Sequence, residues 1–105
     1  PMVLYIFKWN IRPDQAKAYL GWAKGAIARA MAVPGVLEVR GYRPVAGASQ
    51  TVLTYEFADL ATWEAWYAHQ DVQALILELR SFTTDLVVEL WGPSPVVPGP
   101  IRPGA

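Results

Sequence analysis

Thr51-Val52-Leu53-Thr54-Tyr55-Glu56-Phe57 alternates along its length and leads through Ala58 into Asp59-Leu60-Ala61-Thr62-Trp63-Glu64-Ala65-Trp66. Alternation at period two marks a strand with two different faces, and the bulky residues that follow return at helical spacing. His69-Gln70-Asp71 breaks that helix. Val72, Leu75, Ile76, Leu79 and Phe82 then mark one face of a second amphipathic segment, and Asp85–Trp91 alternates again. Asp59 is placed to cap the first helical segment and Asp71 the second.

Upstream, Val3, Tyr5, Phe7 and Trp9 alternate with Leu4, Ile6 and Lys8 in a strand bounded by Asn10 and Pro13. Pro13 suits the first position of a helix, and Asp14 puts an acid where the helix dipole favours one. Ala16, Tyr19, Leu20, Ala23, Ile27, Ala30 and Met31 repeat at helical spacing until Pro34-Gly35 stops the run. Gly21 and Gly25 each cost about 1 kcal/mol of helix propensity against Ala, which a close approach of another backbone would offset. Val36–Val45 and Thr51–Phe57 alternate on either side of Ala46-Gly47-Ala48-Ser49-Gln50, the pattern of an antiparallel hairpin. The order is therefore β-α-β-β-α-β, an α+β chain with an antiparallel four-stranded sheet. Residues 1–92 form this domain. The remainder, 93–105, carries Pro93, Pro95, Pro98, Pro100 and Pro103 and is expected to be an extended tail lying against a surface, such as a partner subunit's.

At 105 residues the chain is one domain, long enough for a core without staples. Its formal charge is zero and only 17% of residues are charged, which leaves no basic stripe for nucleic acid. With no cysteine and one histidine, thiol chemistry is excluded and a conventional metal site lacks ligands. No segment is long and apolar enough to span a bilayer, and Met2–Phe7 lacks the basic flank of a secretory signal, so a cytoplasmic location is expected.

Parity separates the strand residues into two faces. Val3, Tyr5, Phe7, Trp9, Leu37, Val39, Leu53, Tyr55, Phe57, Leu86, Val88 and Leu90 form an almost uncharged face that belongs beneath the helices. The other face mixes Leu4, Ile6, Val36, Tyr42, Val52, Val87 and Trp91 with Lys8, Glu38, Arg40, Glu56 and Glu89. It is too apolar for open water and too charged for a monomer core. At about 25 cal/mol per Å² of apolar area, covering it with a second copy of the same sheet recovers several kcal/mol. A homodimer through this open face is expected, with Lys8 and Arg40 balancing the three glutamates.

The element order resembles the dimeric α+β barrel superfamily, in which ferredoxin-like protomers pair sheet to sheet. So do Pro34-Gly35-Val36 before the second strand, Glu56-Phe57 leading to Trp63 and Trp66, His69-Gln70-Asp71-Val72, and the closing Val88-Glu89-Leu90-Trp91. The resemblance covers about residues 2–92 and is nearest to the antibiotic-biosynthesis-monooxygenase-like branch. It implies a cofactor-free oxygenase acting on an aromatic or polyketide-type compound, with no cofactor and no metal. The haem-degrading branch places an Asn on the first strand and a His beyond the helical Trp. Here Phe7 and Leu77 fall at those positions, so haem chemistry is not implied.

For that activity, His69 and Trp66 are the candidate catalytic residues, His69 because imidazole is the one side-chain type here suited to proton transfer near neutral pH and Trp66 because the branch has a pocket Trp there. Tyr5, Tyr55, Trp63 and Tyr67 are candidates to line a site for a small aromatic molecule, with the tyrosines as phenolic donors. Arg40 and Arg43 fit either an anionic substrate or an interfacial ion pair and a solvated hairpin end. Two other readings stand beside the enzyme. One is a non-catalytic ligand-binding or structural homodimer. The other, more remote, is a tautomerase using the Pro1 amine as base, because Pro1-Met2-Val3 opening a strand resembles that superfamily's start.

Overall fold

The computed structural model describes residues 1–104. Strand β1 (Val3–Ile11) is followed by a short 3-10 turn (Pro13–Gln15) and helix α1 (Ala16–Ala32). Strands β2 (Glu38–Tyr42) and β3 (Thr51–Phe57) form the hairpin. Helices α2 (Leu60–Tyr67) and α3 (Gln70–Phe82) and strand β4 (Thr83–Trp91) complete the domain. All pairings are antiparallel and the strand order is β2-β3-β1-β4, the ferredoxin-like arrangement.

The register keeps the two faces apart. Tyr5 sits between Tyr55 and Leu90, and Ile6 between Thr54 and Glu89. One bulge interrupts this: Lys8 faces Val87, but Asn10 faces Thr84, so β4 carries an extra residue. Asp85, at φ 55°, occupies the left-handed conformation there, and its carboxylate accepts from Asn10 Nδ2 at 3.2 Å. The bulge lets buried Thr83 share the helix-facing side with Leu86, three residues on. Strand β4 therefore begins at Thr83 instead of Asp85.

Several local expectations shift for identifiable reasons. Strand β2 is confined to Glu38–Tyr42 because Gly35 turns the chain at φ 127° on one side and Pro44 has no N–H for the ladder on the other. Asp59 caps α2 as expected, accepting from Thr62 N at 2.8 Å and Thr62 Oγ1 at 2.6 Å. Helix α3 is capped by His69, not Asp71: His69 Nδ1 accepts from Asp71 N at 3.1 Å, and Asp71 lies in the first turn. A methyl group on Gly21 or Gly25 would meet nothing within 4 Å, so within the protomer no close approach requires either glycine.

Trp66 is the centre of the core. Its ring lies 5.0 Å from that of Phe57, 5.3 Å from Tyr55 and 6.0 Å from Tyr5, and its Nε1 donates to Ala30 O at 3.1 Å. It thereby ties α2 to both α1 and the sheet. On the outer side of the helix layer, Glu78 of α3 accepts from Trp22 Nε1 at 2.8 Å and from Arg29 Nη1 and Nη2 at 2.8 and 2.9 Å. Helix cover stops short of β2, which leaves Leu37 59% exposed although its parity puts it on the core side.

The open face is partly neutralised within the protomer. Lys8 Nζ lies 3.5 Å from Glu89 Oε1 and 5.5 Å from the centre of the Trp91 ring, and Arg40 pairs with Glu38. Glu38 and Glu56 stand directly opposite each other on β2 and β3, and Glu56 has no cationic partner among the described residues. Residues 93–104 are exposed, with Val96 and Ile101 at 86% and 77%, so this part of the tail does not lie against its own protomer. Among the described residues no helix is long and apolar enough to cross a membrane.

Glycine is required at position 35, where an added Cβ would meet Thr62 Cγ2 at 3.1 Å on a backbone that L-residues rarely adopt. Gly35→Ala should lower stability by about 1–3 kcal/mol, whereas Gly25→Ala should raise it by up to about 1 kcal/mol. Urea denaturation of both variants measures the contrast.

Candidate functional site

Helix α1 turns small residues toward the sheet. Ala23, Ala26 and Ala30 recur on one side of it, while β1 and β3 offer Phe7, Trp9, Leu53 and Tyr55 below. Methyl groups cannot fill the space that Leu or Phe would fill at normal packing density. What remains is a cleft of about 920 Å³ between α1, α3 and the sheet, bounded at one end by the β2–β3 loop. Trp66, Tyr55 and Phe7 line its interior, and Leu20, Ile27 and Arg43 are exposed along its rim.

The loop is held in place at the rim. Gln50 N donates to Asn10 Oδ1 at 2.9 Å, and Ile11 N donates to Gln50 Oε1 at 2.7 Å. Asn10 therefore links the loop on one side to the Asp85 bulge on the other. Opposite the loop, Trp22 is fixed by Glu78. Arg29 is the main cause holding the Glu78 carboxyl down at about 2, with the Trp22 indole N–H adding to it.

The polar groups of the cleft are mostly donors. The Tyr55 hydroxyl makes no hydrogen bond with the described residues, and burial pushes its pKa up to about 12. Tyr19 is also buried against the cleft. Trp9 Nε1 is buried without a partner. No Asp, Glu, Lys or His lines the cleft; Arg43 is the one charged residue that does.

The structure divides the six residues proposed from sequence. Trp66 and Tyr55 both line the cleft, their rings 5.3 Å apart. Tyr5, Trp63 and Tyr67 form a separate aromatic cluster that does not line it. Trp63 and Tyr67 stack at 4.9 Å, and Tyr5 meets them edge-on at 5.3 and 6.0 Å. Burial, and secondarily Tyr67, pushes the Tyr5 phenol up to about 12. His69 is outside the cleft lining, with 46% of its side chain exposed and one nitrogen spent on the α3 cap. Pro1 is exposed and lines neither the cleft nor the depression on the open sheet face.

Trp9, Tyr19, Trp22 and residues 44–50 were not singled out as site residues by the sequence, whereas Arg43 was weighed there for an anionic substrate. The available signal was the Ala23–Ala26–Ala30 stripe, which also fits ordinary close helix packing. Among the described residues, no three of His, Cys, Asp and Glu converge as a metal site would need.

The profile of the antibiotic biosynthesis monooxygenase family matches residues 2–76, and the chain belongs to that family. No curated protein sequence matches significantly. Solved structures share the fold at low identity. Rv0793 from Mycobacterium tuberculosis superposes with a TM-score of 0.71 at 15% identity, over 100% of both chains. SnoaB from Streptomyces nogalater, described as a cofactor-independent oxygenase, gives 0.68 at 17% identity over 86% of this chain and 90% of its own. A dimeric ferredoxin-like protein of unknown function from Jannaschia sp. gives 0.71 at 16%, over 87% and 98%.

Burial of neutral phenols has a consequence at high pH. Unfolded tyrosines ionise near 10.0, whereas Tyr5 and Tyr55 keep their protons to about 12 when folded. The folded state then binds more protons than the unfolded one, so stability is complete below about pH 10 and falls as pH rises toward 12. Absorbance titration at 295 nm should show two late-ionising tyrosines, and Tyr55→Phe should remove one of them and soften the alkaline loss of stability.

Proposed function

We propose that this member of the antibiotic biosynthesis monooxygenase family is a cofactor-independent oxygenase. Its substrate is a planar phenol, quinol or anthrone-type compound held in the cleft. The observation that carries this reading is the cleft itself, whose volume of about 920 Å³ and aromatic walls suit such a compound. Likeness to SnoaB supports it by analogy. For an anthrone, the activated ring methylene and O2 become a ring carbonyl and water; for a phenol or quinol, a ring C–H and O2 give an oxygenated quinone and water. The substrate supplies the electrons, one oxygen atom is retained and the other leaves as water.

The chain's own groups would contribute positioning and electrostatics. Trp66, locked by its bond to Ala30 O, forms one fixed wall against the substrate ring. Tyr55, protonated to about pH 12, donates to the substrate oxygen on which negative charge accumulates. The apolar walls exclude water, which strengthens that hydrogen bond. Because no imidazole or carboxylate lines the cleft, the substrate must be acidic enough to ionise without a protein base. That same observation favours a second reading, in which the cleft binds such a compound without turning it over.

The functional unit is proposed to be a homodimer joined through the open sheet face. The row of Leu4, Ile6, Val52 and Trp91 between charged neighbours supports this, as does the description of the Jannaschia protein as dimeric.

Oxygen uptake with a panel of phenols, quinols and anthrones tests the enzyme. Tyr55→Phe should lower kcat/KM by about 10- to 100-fold, while His69→Ala should stay within about twofold of wild type, since His69 only caps a helix. Ligand-induced thermal stabilisation with no oxygen uptake by wild type would instead support the binding reading. For the dimer, Leu4→Glu adds a carboxylate opposite Glu56. Ultracentrifugation should show it as a monomer with unchanged far-UV dichroism.

A further inference from the structure

We infer that the natural ligand of the cleft is an amphipathic anion, an aromatic carboxylate whose ring enters the cleft and whose carboxylate pairs with Arg43 at the rim. This rests on the reading of the cleft as a small-molecule site and adds the ligand's charge and orientation. The cleft lining includes one ionisable group that is always charged, and that group is a cation. No acidic residue lines the cleft to neutralise it. Arg43, like Arg12, Lys17, Lys24, Arg80 and Arg102, makes no ion pair with any described residue, but of these it alone lines the cleft. Its partner must therefore be solvent or a ligand.

The geometry of the rim supports the second. Arg43 follows the last residue of β2 and precedes Pro44, in a loop pinned to β1 by the Asn10 and Gln50 hydrogen bonds. The loop that begins at Arg43 is thus anchored at its Gln50 end. Leu20 and Ile27, exposed along α1, add apolar surface to the same cleft. A ligand leaving the aromatic interior would pass aliphatic side chains and end at a planar fork of donors, which matches a carboxylate in two-point contact.

A matched pair of fluorescent probes, 2-anthracenecarboxylate and 2-anthracenemethanol, separates charge recognition from ring binding. Wild type should bind the carboxylate about fivefold more tightly at low ionic strength, and the preference should shrink as salt is added. Arg43→Gln should abolish the preference while leaving the affinity for the alcohol unchanged, and Arg43→Lys should keep part of it. Equal binding of both probes by wild type, or a preference that survives in Arg43→Gln, would overturn the role of Arg43 and leave the cleft reading standing. Binding of neither probe would remove the cleft reading and this inference together.

Discussion

Trp66 decides how the two layers meet. A single indole fills the space under α2, touches the aromatic rings of β1 and β3, and spends its N–H on the Ala30 carbonyl of α1. A buried indole N–H without a partner is costly, so the ring has one favourable seat. That seat requires a small residue on α1 and a glycine at position 35, where a side chain would press on Thr62 and come close to Trp66 Cβ. The approach of α1, the turn into β2 and the position of α2 are therefore linked through one side chain.

The same small residues that admit Trp66 leave the cleft. Ala26 and Ala30 are buried yet too short to reach the sheet along the whole helix, and the unfilled length becomes a site. Helix α1 is also tied to α3 on its outer side. Glu78 takes three hydrogen bonds from Trp22 and Arg29 and stays ionised far below the usual carboxylate range. A cavity beneath a helix clamped on its outer side can persist without the helix collapsing inward.

Much of the fold was legible because burial in strands has a period of two. The alternation of Val3 to Trp9 and of Thr51 to Phe57 named the helix-facing residues, and most of them are buried. Where the period was broken, legibility failed. The Asp85 bulge moved the start of β4, since one left-handed residue resets parity without any glycine to announce it. The cap of α3 was also missed, because His69, accepting from Asp71 N, takes a place that Asp or Ser usually fills.

Local pattern alone determined the element order and the two-faced sheet, because each depends on residues close in sequence. Only the tertiary structure decided which aromatics share a cavity. Tyr55 and Trp66 face the cleft while Tyr5, Trp63 and Tyr67 cluster outside its lining, although all five were candidate site residues from the sequence. It also left Arg43 as the one charge beside that space. A cavity is the difference between the volume that four distant elements enclose and the volume their side chains fill, and no local stretch of sequence contains both terms.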